Sequence, residues 1–225
     1  MEPVLCKLAK VYSILGRIDD AIGLLKPLTS PSNEAQLLLA ENYVKKGITE
    51  PASELFDAIV ISCGTGRSPV AASASLQGAR LKLAKENPNL VEIATQLKNL
   101  VVQKNLEGEP LYLEAALDYV ALIAKKDPAK KVALLQKTKA DFEKSDDLLS
   151  KDYHAARSQS PHKDKIYQGY MKLIHAEILA AQAAMDLQNQ KELQAKSKDL
   201  LLQIMDEPIA SALEERVKKL LVDET

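Results

Sequence analysis

One short segment of the chain has the composition of a phosphate-binding loop. It runs Cys63-Gly64-Thr65-Gly66-Arg67-Ser68, with two glycines ahead of a basic residue and a hydroxyl. The phosphate loop of nucleotide-binding proteins needs Gly, four residues, then Gly-Lys-Ser or Gly-Lys-Thr after a strand. Here Ile61 stands at the first glycine position and Arg67 replaces the lysine, and the Cys-to-Arg spacing is too short for a cysteine phosphatase. We therefore interpret the segment as a flexible turn between helices.

The histidines do not form a metal-binding pattern. His154, His162 and His175 are not spaced with another histidine or a carboxylate in the way that a helical zinc pair requires. No serine, cysteine or lysine lies in a motif that would activate it as a nucleophile. The sequence thus predicts no catalytic residue, no cofactor and no metal, and we expect the chain not to be an enzyme.

The charge pattern argues against two classes of partner. Lys and Arg number 30 and Asp and Glu 31, which gives a formal net charge of −1, and the signs alternate along the chain. Nucleic acids and anionic membranes are recruited by a concentrated positive field. No apolar run approaches the length of a spanning helix, and Met1–Val4 do not look like the start of a leader. We expect no nucleic-acid partner and no membrane insertion.

The two cysteines indicate a reducing compartment. Cys6 and Cys63 lie in different predicted helices, and a single possible pair does not make a disulfide framework. Free thiols in the core are the expected state, because cysteine is among the most often buried residues. We therefore expect a cytoplasmic protein.

Composition and proline spacing predict an all-helical chain. Leu and Ala dominate, whereas the chain has 8 Gly, 2 Phe and no Trp. Most of the prolines follow a cap or turn residue and open an apolar run of helical period, as at Ser68-Pro69 and Asp127-Pro128. Proline is tolerated in the first turn of a helix, so these positions mark helix starts. The predicted helices are residues 3–15, 19–29, 32–46, 51–63, 69–86, 89–104, 109–125, 128–146, 161–188, 190–205 and 208–222.

The first two helix pairs repeat each other at an offset of 31 residues. Each repeated residue type has a mechanical reason: Ala permits close helix contact, Tyr fills the space beside it, and Gly ends a helix in a left-handed cap. The repeated pairs are Leu8 with Leu39, Ala9 with Ala40, Tyr12 with Tyr43, Gly16 with Gly47, Ala21 with Ala52, and Leu25 with Phe56.

At these positions the sequence resembles the tetratricopeptide repeat (TPR), whose Leu-Gly, Tyr, Gly, Ala and aromatic residues come in the same order. Leu8-Ala9 and Leu39-Ala40 stand for Leu-Gly. The resemblance is clearest over residues 4–60, degenerate to 145 and only architectural beyond. It implies a right-handed α-solenoid of stacked antiparallel helix pairs, with a long C-terminal helical hairpin and a final capping helix.

The expected organisation is a single helical-repeat domain over residues 1–225. Within it, residues 1–145 form the TPR-like pairs and residues 146–160 form a loop. Residues 161–225 form the C-terminal hairpin and its cap.

The resemblance also implies a binding face. In the family, the first helix of each pair lines a concave groove that binds an extended peptide or a helix. The implied function is a protein–protein interaction scaffold, adaptor or chaperone-like module with a protein or peptide partner and no chemistry of its own. The groove residues at the matching positions are Lys10, Ser13, Ile14, Glu41, Val44 and Lys45.

A second class of function stays open at this point. A pocket between the repeats and the C-terminal hairpin would suit an enzyme or a small-ligand carrier. Convergent polar groups with perturbed pKa values in such a pocket would favour that alternative. The sequence leaves the identity of the partner and the oligomeric state open.

Overall fold

The computed structural model describes residues 1–63, 68–102, 110–127, 129–147, 161–206 and 211–223. All regular secondary structure within these ranges is helical. The chain divides into two compact units, Met1–Asn105 and Leu106–Thr225. The helices are α1 (Glu2–Ile14), α2 (Ile18–Leu25), α3 (Asn33–Lys45), α4 (Thr49–Cys63), α5 (Pro69–Leu83), α6 (Leu90–Val102), α7 (Pro110–Lys126), α8 (Lys130–Asp147), α9 (Pro161–Ala183), α10 (Gln190–Met205) and α11 (Ser211–Asp223).

The first unit is a stack of three helical hairpins: repeat 1 (α1 and α2), repeat 2 (α3 and α4) and repeat 3 (α5 and α6). Each helix packs on the next one in sequence, and the first helices also touch, α1 against α3 and α3 against α5. This arrangement of local hairpins with contacts only to neighbours is typical of helical solenoids. It gives the expected all-α repeat architecture for residues 1–102.

Repeats 1 and 2 end their first helices in the same way. Gly16 and Gly47 have φ values of 74° and 80°, the left-handed conformation that costs glycine no strain. The N–H groups of Arg17 and Ile48 donate to the carbonyls of Tyr12 and Tyr43, each at 2.8 Å. This six-to-one hydrogen bond satisfies a carbonyl that the helix end would leave unpaired.

The small residues of the repeat lie at the tightest helix contacts. Ala9, Ala21, Ala40 and Ala52 are all fully buried, as the repeat predicts. The first two pack in a cluster that joins repeats 1 and 2, and the other two pack around Phe56. An added methylene at any of them would meet neighbouring side chains, because helix cores are close-packed.

Repeat 3 is joined by polar contacts as well as by apolar packing. The amide of Gln96 in α6 donates to the Ser75 carbonyl of α5 at 2.7 Å. Lys82 in α5 lies 3.2 Å from Asp57 of α4 and 3.2 Å from Glu92 of α6. Burial disfavours the Lys82 ammonium, but the hydrogen bonds to these two carboxylates outweigh it and raise the pKa of Lys82. The lysine therefore bridges three helices in its charged form.

The second unit contains the hairpin of α7 and α8, the long hairpin of α9 and α10, and α11. Helix α9 packs against α7, α8 and α10, and α11 packs on α9 and α10. The large buried side chains of this second unit include Leu113, Leu117, Tyr170, Ile174 and Val217. The long hairpin and the final helix that covers it agree with the expected C-terminal architecture.

An ionic cluster ties α11 to this second unit. The Arg216 guanidinium lies 2.9 Å from Asp118 of α7 and 3.3 Å from Glu177 of α9. Glu177 is buried, and Lys131 of α8 stands 3.8 Å from its second oxygen. Four helices thus contribute to one charge cluster, which neutralises a carboxylate that burial would otherwise penalise.

Prolines mark helix starts in some of the predicted places and helix ends in others. Pro69, Pro110 and Pro161 are the first residues of their helices, whereas Pro51 is the third residue of α4. The prediction that residues 19–29 are helical was wrong at its end. Helix α2 stops at Leu25, because Pro27 has no N–H to continue the ladder.

Two further boundaries differ from expectation. Helix α9 ends at Ala183 rather than at 188. The Asp186 carboxylate accepts hydrogen bonds from the N–H groups of Gln188 and Asn189 and so forms a turn there. The expected loop at 146–160 is corrected at its start, since α8 continues to Asp147. Residues 148–160 lie outside the described residues, and the single-domain organisation stays a prediction.

Candidate functional site

The predicted groove residues lie on two helices that touch, α1 and α3. Lys10 and Ser13 are one turn apart on α1, and Glu41 and Lys45 are one turn apart on α3. The Lys45 ammonium donates to the Ser13 hydroxyl at 2.6 Å. We call Lys10, Ser13, Glu41 and Lys45 the groove cluster. Two pairs of residues that are about 30 positions apart in the sequence therefore converge at one place.

Glu41 is the electrostatic centre of the groove cluster. Burial raises the pKa of its carboxyl above the ordinary value, and the positive charges of Lys45 and Lys10 oppose that shift. Burial is the larger effect, since a carboxylate loses hydration when neighbouring helices cover it. The cluster therefore holds two cations around one half-buried carboxyl.

The two apolar residues of the predicted groove have different surroundings. Ile14 is 84% exposed at the end of α1. Val44 is half-buried and packs against the core around Ala40 and Phe56. Ile14 is thus free to contact a partner, whereas Val44 contributes partly to folding.

Ser13 is buried, and this changes what its neighbour Lys45 does. The hydroxyl has a good acceptor geometry for the ammonium, and the hydrogen bond links repeat 1 to repeat 2. Lys45 therefore has a structural role in addition to any binding role. Lys10 is exposed, and its positive charge acts on Glu41 and on Cys6.

A second set of polar contacts was missed by the sequence analysis. The Glu2 carboxylate accepts from the Ser32 N–H at 3.1 Å. The Asn33 amide donates to the Cys63 sulfur at 3.1 Å, and its carbonyl oxygen accepts from the Ser62 hydroxyl at 2.9 Å. The first contact joins repeat 1 to repeat 2, whereas the contacts of Asn33 join the two helices of repeat 2. Packing between helices, and not a sequence motif, brings these residues together.

Both cysteines are free, as expected, but they are half-buried and not in the core. Burial raises the pKa of the Cys6 thiol, and Glu2 and Glu34 add to this effect while Lys10 opposes it. A thiol with a raised pKa is a weaker nucleophile at neutral pH. The surroundings of Cys6 therefore do not activate it.

The described residues contain no group of three or more His, Cys, Asp or Glu that could hold a metal ion. His175 is exposed on α9. Of the other candidates, residues 64–67, His154 and the side chain of His162 lie outside the described residues. The groove cluster offers hydrogen-bond donors and charges, a set of groups suited to recognition.

Comparison with solved structures places the fold in a known class. A Podosopora anserina protein described as a kinesin light chain with nearly identical TPR-like repeats matches in two crystal structures. One of them, of a point variant of that protein, has a TM-score of 0.62 and 21% identity, covering 91% of this chain and 96% of that chain. The other structure has a TM-score of 0.61 and 20% identity, covering 89% and 95%.

The chain therefore has a TPR-like helical-repeat fold, as the sequence resemblance predicts. No protein-family model matches the sequence, and no curated protein matches it. Folds of this class generally mediate protein–protein interaction through the surfaces of their stacked helices. Among the residues that the structure describes, no helix is long and apolar enough to cross a membrane.

Proposed function

We propose that this chain is a cytoplasmic interaction scaffold or adaptor that binds a partner peptide or helix at the groove cluster and performs no chemistry itself. The observation that carries the proposal is the convergence of Lys10, Glu41 and Lys45 on the face shared by α1 and α3. The TPR-like fold supports it, because solenoids present extended binding surfaces.

The chemistry of the groove cluster favours a partner with hydrogen-bond acceptors. Two ammonium groups flank a single carboxyl whose ionisation is disfavoured by burial. Carbonyl and carboxylate oxygens of an extended peptide suit such donors, and the exposed Ile14 adds an apolar contact beside them. The partner segment is therefore expected to combine an acidic or polar residue with an apolar one.

The direct test is capture of partners from the native extract by the parent chain and by Lys10→Glu. Charge reversal at an interface rim weakens capture and alters its salt dependence. Because Lys10 is exposed, the melting temperature should stay nearly unchanged. Lys98→Glu, an exposed lysine of α6, is the matched control and should capture as the parent does.

The Lys10→Glu, Lys45→Glu double variant should lose capture more completely, but Lys45→Glu also removes the hydrogen bond to Ser13. Ser13→Ala separates the two effects, because it breaks that hydrogen bond and keeps both ammonium groups. The proposal is wrong if the double variant binds fully while changes on residues 190–222 abolish capture. Retention of a small molecule alone would support the carrier alternative.

A further inference from the structure

The alternation of charge signs along the chain is interrupted in the second unit. Residues 125–139 contain six lysines and one acidic residue, Asp127. The second unit as a whole has 18 basic and 21 acidic residues. The basic segment is therefore a local concentration of positive charge in an acidic unit, and it lies at the end of α7 and along the first half of α8.

Helix α8 presents part of this charge as a regular stripe. The stripe alternates lysine with alanine and is exposed along its length: it consists of Lys130, Ala133, Lys137, Ala140 and Lys144. Spacings of three and four residues in turn put these residues on one side of a helix. The buried Leu135 and Phe142 lie on the opposite side of α8. We call these five exposed residues the α8 stripe.

The charge of the α8 stripe is available to a partner. Lys130 lies 2.7 Å from Asp127, and its side chain is still 65% exposed. Lys137 and Lys144 have no ion-pair partner in the part of the chain that the structure describes. Among the described side chains of α8, Glu143 is the one exposed carboxylate, and it is paired with Lys139.

Helix stability does not account for these lysines. The N-terminus of a helix is the positive end of its dipole and favours acidic residues. The first turn of α8 has no acidic residue and contains Lys130 and Lys131. Lys131 lies 3.8 Å from the buried Glu177 and so contributes to the fold. The pair of Lys130 with Asp127 is exposed, and exposed pairs contribute little to folding.

The exposed lysines of α10 show the contrast. Lys191 and Lys198 are also seven residues apart, but Glu192 and Asp199 follow them directly and are exposed as well. The opposite charges on α10 lie within a Debye length of each other, so their fields largely cancel for an approaching partner. The α8 stripe carries a single sign.

The alternation of three and four residues is the spacing at which two helices pack along a seam. Because alanine side chains are small, the backbone of a second helix can approach closely at Ala133 and Ala140. Successive lysines of the stripe lie about 10 Å apart along the axis, at a rise of about 1.5 Å per residue. Carboxylates that recur every seven residues on a partner helix have the same spacing.

We propose that the α8 stripe docks an acidic helix of another protein, with glutamates or aspartates at seven-residue intervals facing the three lysines. The partner is identified by charge complementarity and by the small residues that separate the lysines. This surface belongs to the second unit, whereas the groove cluster belongs to the first. The docking of the helix is therefore a second interaction, beyond the function proposed for the groove.

Fluorescence anisotropy of a labelled peptide tests the proposal on the full chain. The peptide is a helix of about 20 residues, with glutamates seven residues apart on one side and alanine and glutamine elsewhere. Lys137→Gln with Lys144→Gln should weaken binding about fivefold or more at low salt, because two ion pairs are lost. Lys191→Gln with Lys198→Gln, equal in spacing and in charge removed, is the matched control and should bind as the parent does.

Two further measurements separate helix docking from attraction by charge alone. Ala133→Gln with Ala140→Gln keeps every charge, and it should weaken binding because the added side chains hold the two helices apart. A peptide of the same composition, with its glutamates spread around the helix, should also bind more weakly. Circular dichroism checks that each variant is as helical as the parent.

The proposal fails if the lysine variant binds like its control or if the spread peptide binds as tightly as the striped one. It also fails if the alanine variant binds as the parent does, since the partner is then not a helix seated on the stripe. A single-stranded oligonucleotide of equal charge that displaces the peptide at lower concentration would make this face a nucleic-acid site instead.

A test at the groove keeps the two interactions distinguishable. Lys10→Glu should leave binding of the peptide unchanged, so a failure of the groove would not be read as a failure of the α8 stripe. If Lys10→Glu abolishes peptide binding and the lysine variant of α8 does not, the peptide binds in the groove and the proposal is wrong.

Discussion

Glu41 makes the groove cluster sensitive to pH. Its carboxyl has an ordinary pKa of 4.5, which burial raises in the folded chain. As the pH rises from that value, the unfolded chain loses the proton first, so the free energy of unfolding falls until the folded carboxyl has also ionised. Stability contributed by the protonated Glu41 is therefore complete below pH 4.5 and lost above it.

Glu41→Gln should remove this dependence. The free energy of unfolding of the variant minus that of the parent should be larger at about pH 7 than at about pH 4. The reason is that only the parent must ionise a half-buried group as the pH rises. Urea unfolding of both proteins at the two pH values measures the difference. A change of the opposite sign would show that attraction to Lys10 and Lys45 outweighs burial.

At the scale of the element, the charge cluster around Arg216 stabilises the packing of α11 on the other helices of the second unit. Arg216→Ala leaves the buried Glu177 with Lys131, at 3.8 Å, as its remaining ion-pair partner among the described residues. We expect a loss of about 2–3 kcal/mol in the free energy of unfolding, since an uncompensated buried charge is costly. Lys218→Ala, which removes an exposed pair on the same helix, should cost about 0.5 kcal/mol or less.

A second change checks the cause in the same urea experiment. Glu177→Gln in the Arg216→Ala background removes the charge that lost its partner. Part of the stability should return. If the double variant is as unstable as the sum of the single variants, the packing of the arginine stem and not its charge holds α11 in place.

The sequence was informative about elements where one physical rule dominated. The repeated glycines predicted left-handed helix ends, and the four alanines predicted close contacts, because few other residues suit those positions. It failed at Pro27, where an apolar period continued past a residue that cannot join the helix.

The sequence predicted which helix faces form the candidate site, but it did not predict the hydrogen bonds within that site. Lys10 and Glu41 come together because the repeat fixes which side of each first helix is shared. The bond between Lys45 and Ser13 depends on side-chain positions between repeats 1 and 2, and the contacts of Asn33 depend on those between the two helices of repeat 2. Residues that pair across stacked helices leave no local pattern, so Arg216 and Asp118, which are distant in sequence, carried no signal.

At the scale of the whole molecule, each compact unit contains its own buried core. We expect residues 1–105 and residues 106–225 to fold separately, each with a helical circular dichroism spectrum and cooperative unfolding. A fragment of residues 1–46 should not do so, because it ends between α3 and α4 and leaves Ala40 without Ala52 and Phe56 of α4. If neither half folds alone, the expected single domain is the better description.

Asn42 has a consequence for the fidelity of folding. It is fully buried, its amide donates to the Leu38 carbonyl at 2.7 Å, and its side-chain oxygen has no hydrogen-bond partner among the described residues. Before packing buries it, this oxygen is hydrated, and an incorrect apolar surface would strip that water without supplying the close contacts of the native packing. The face of α3 around Asn42 therefore discriminates among the surfaces that could cover it. A chain of similar repeats gains from this selectivity, because a newly made or refolding copy is discouraged from inserting a helix between the repeats of a neighbour and aggregating.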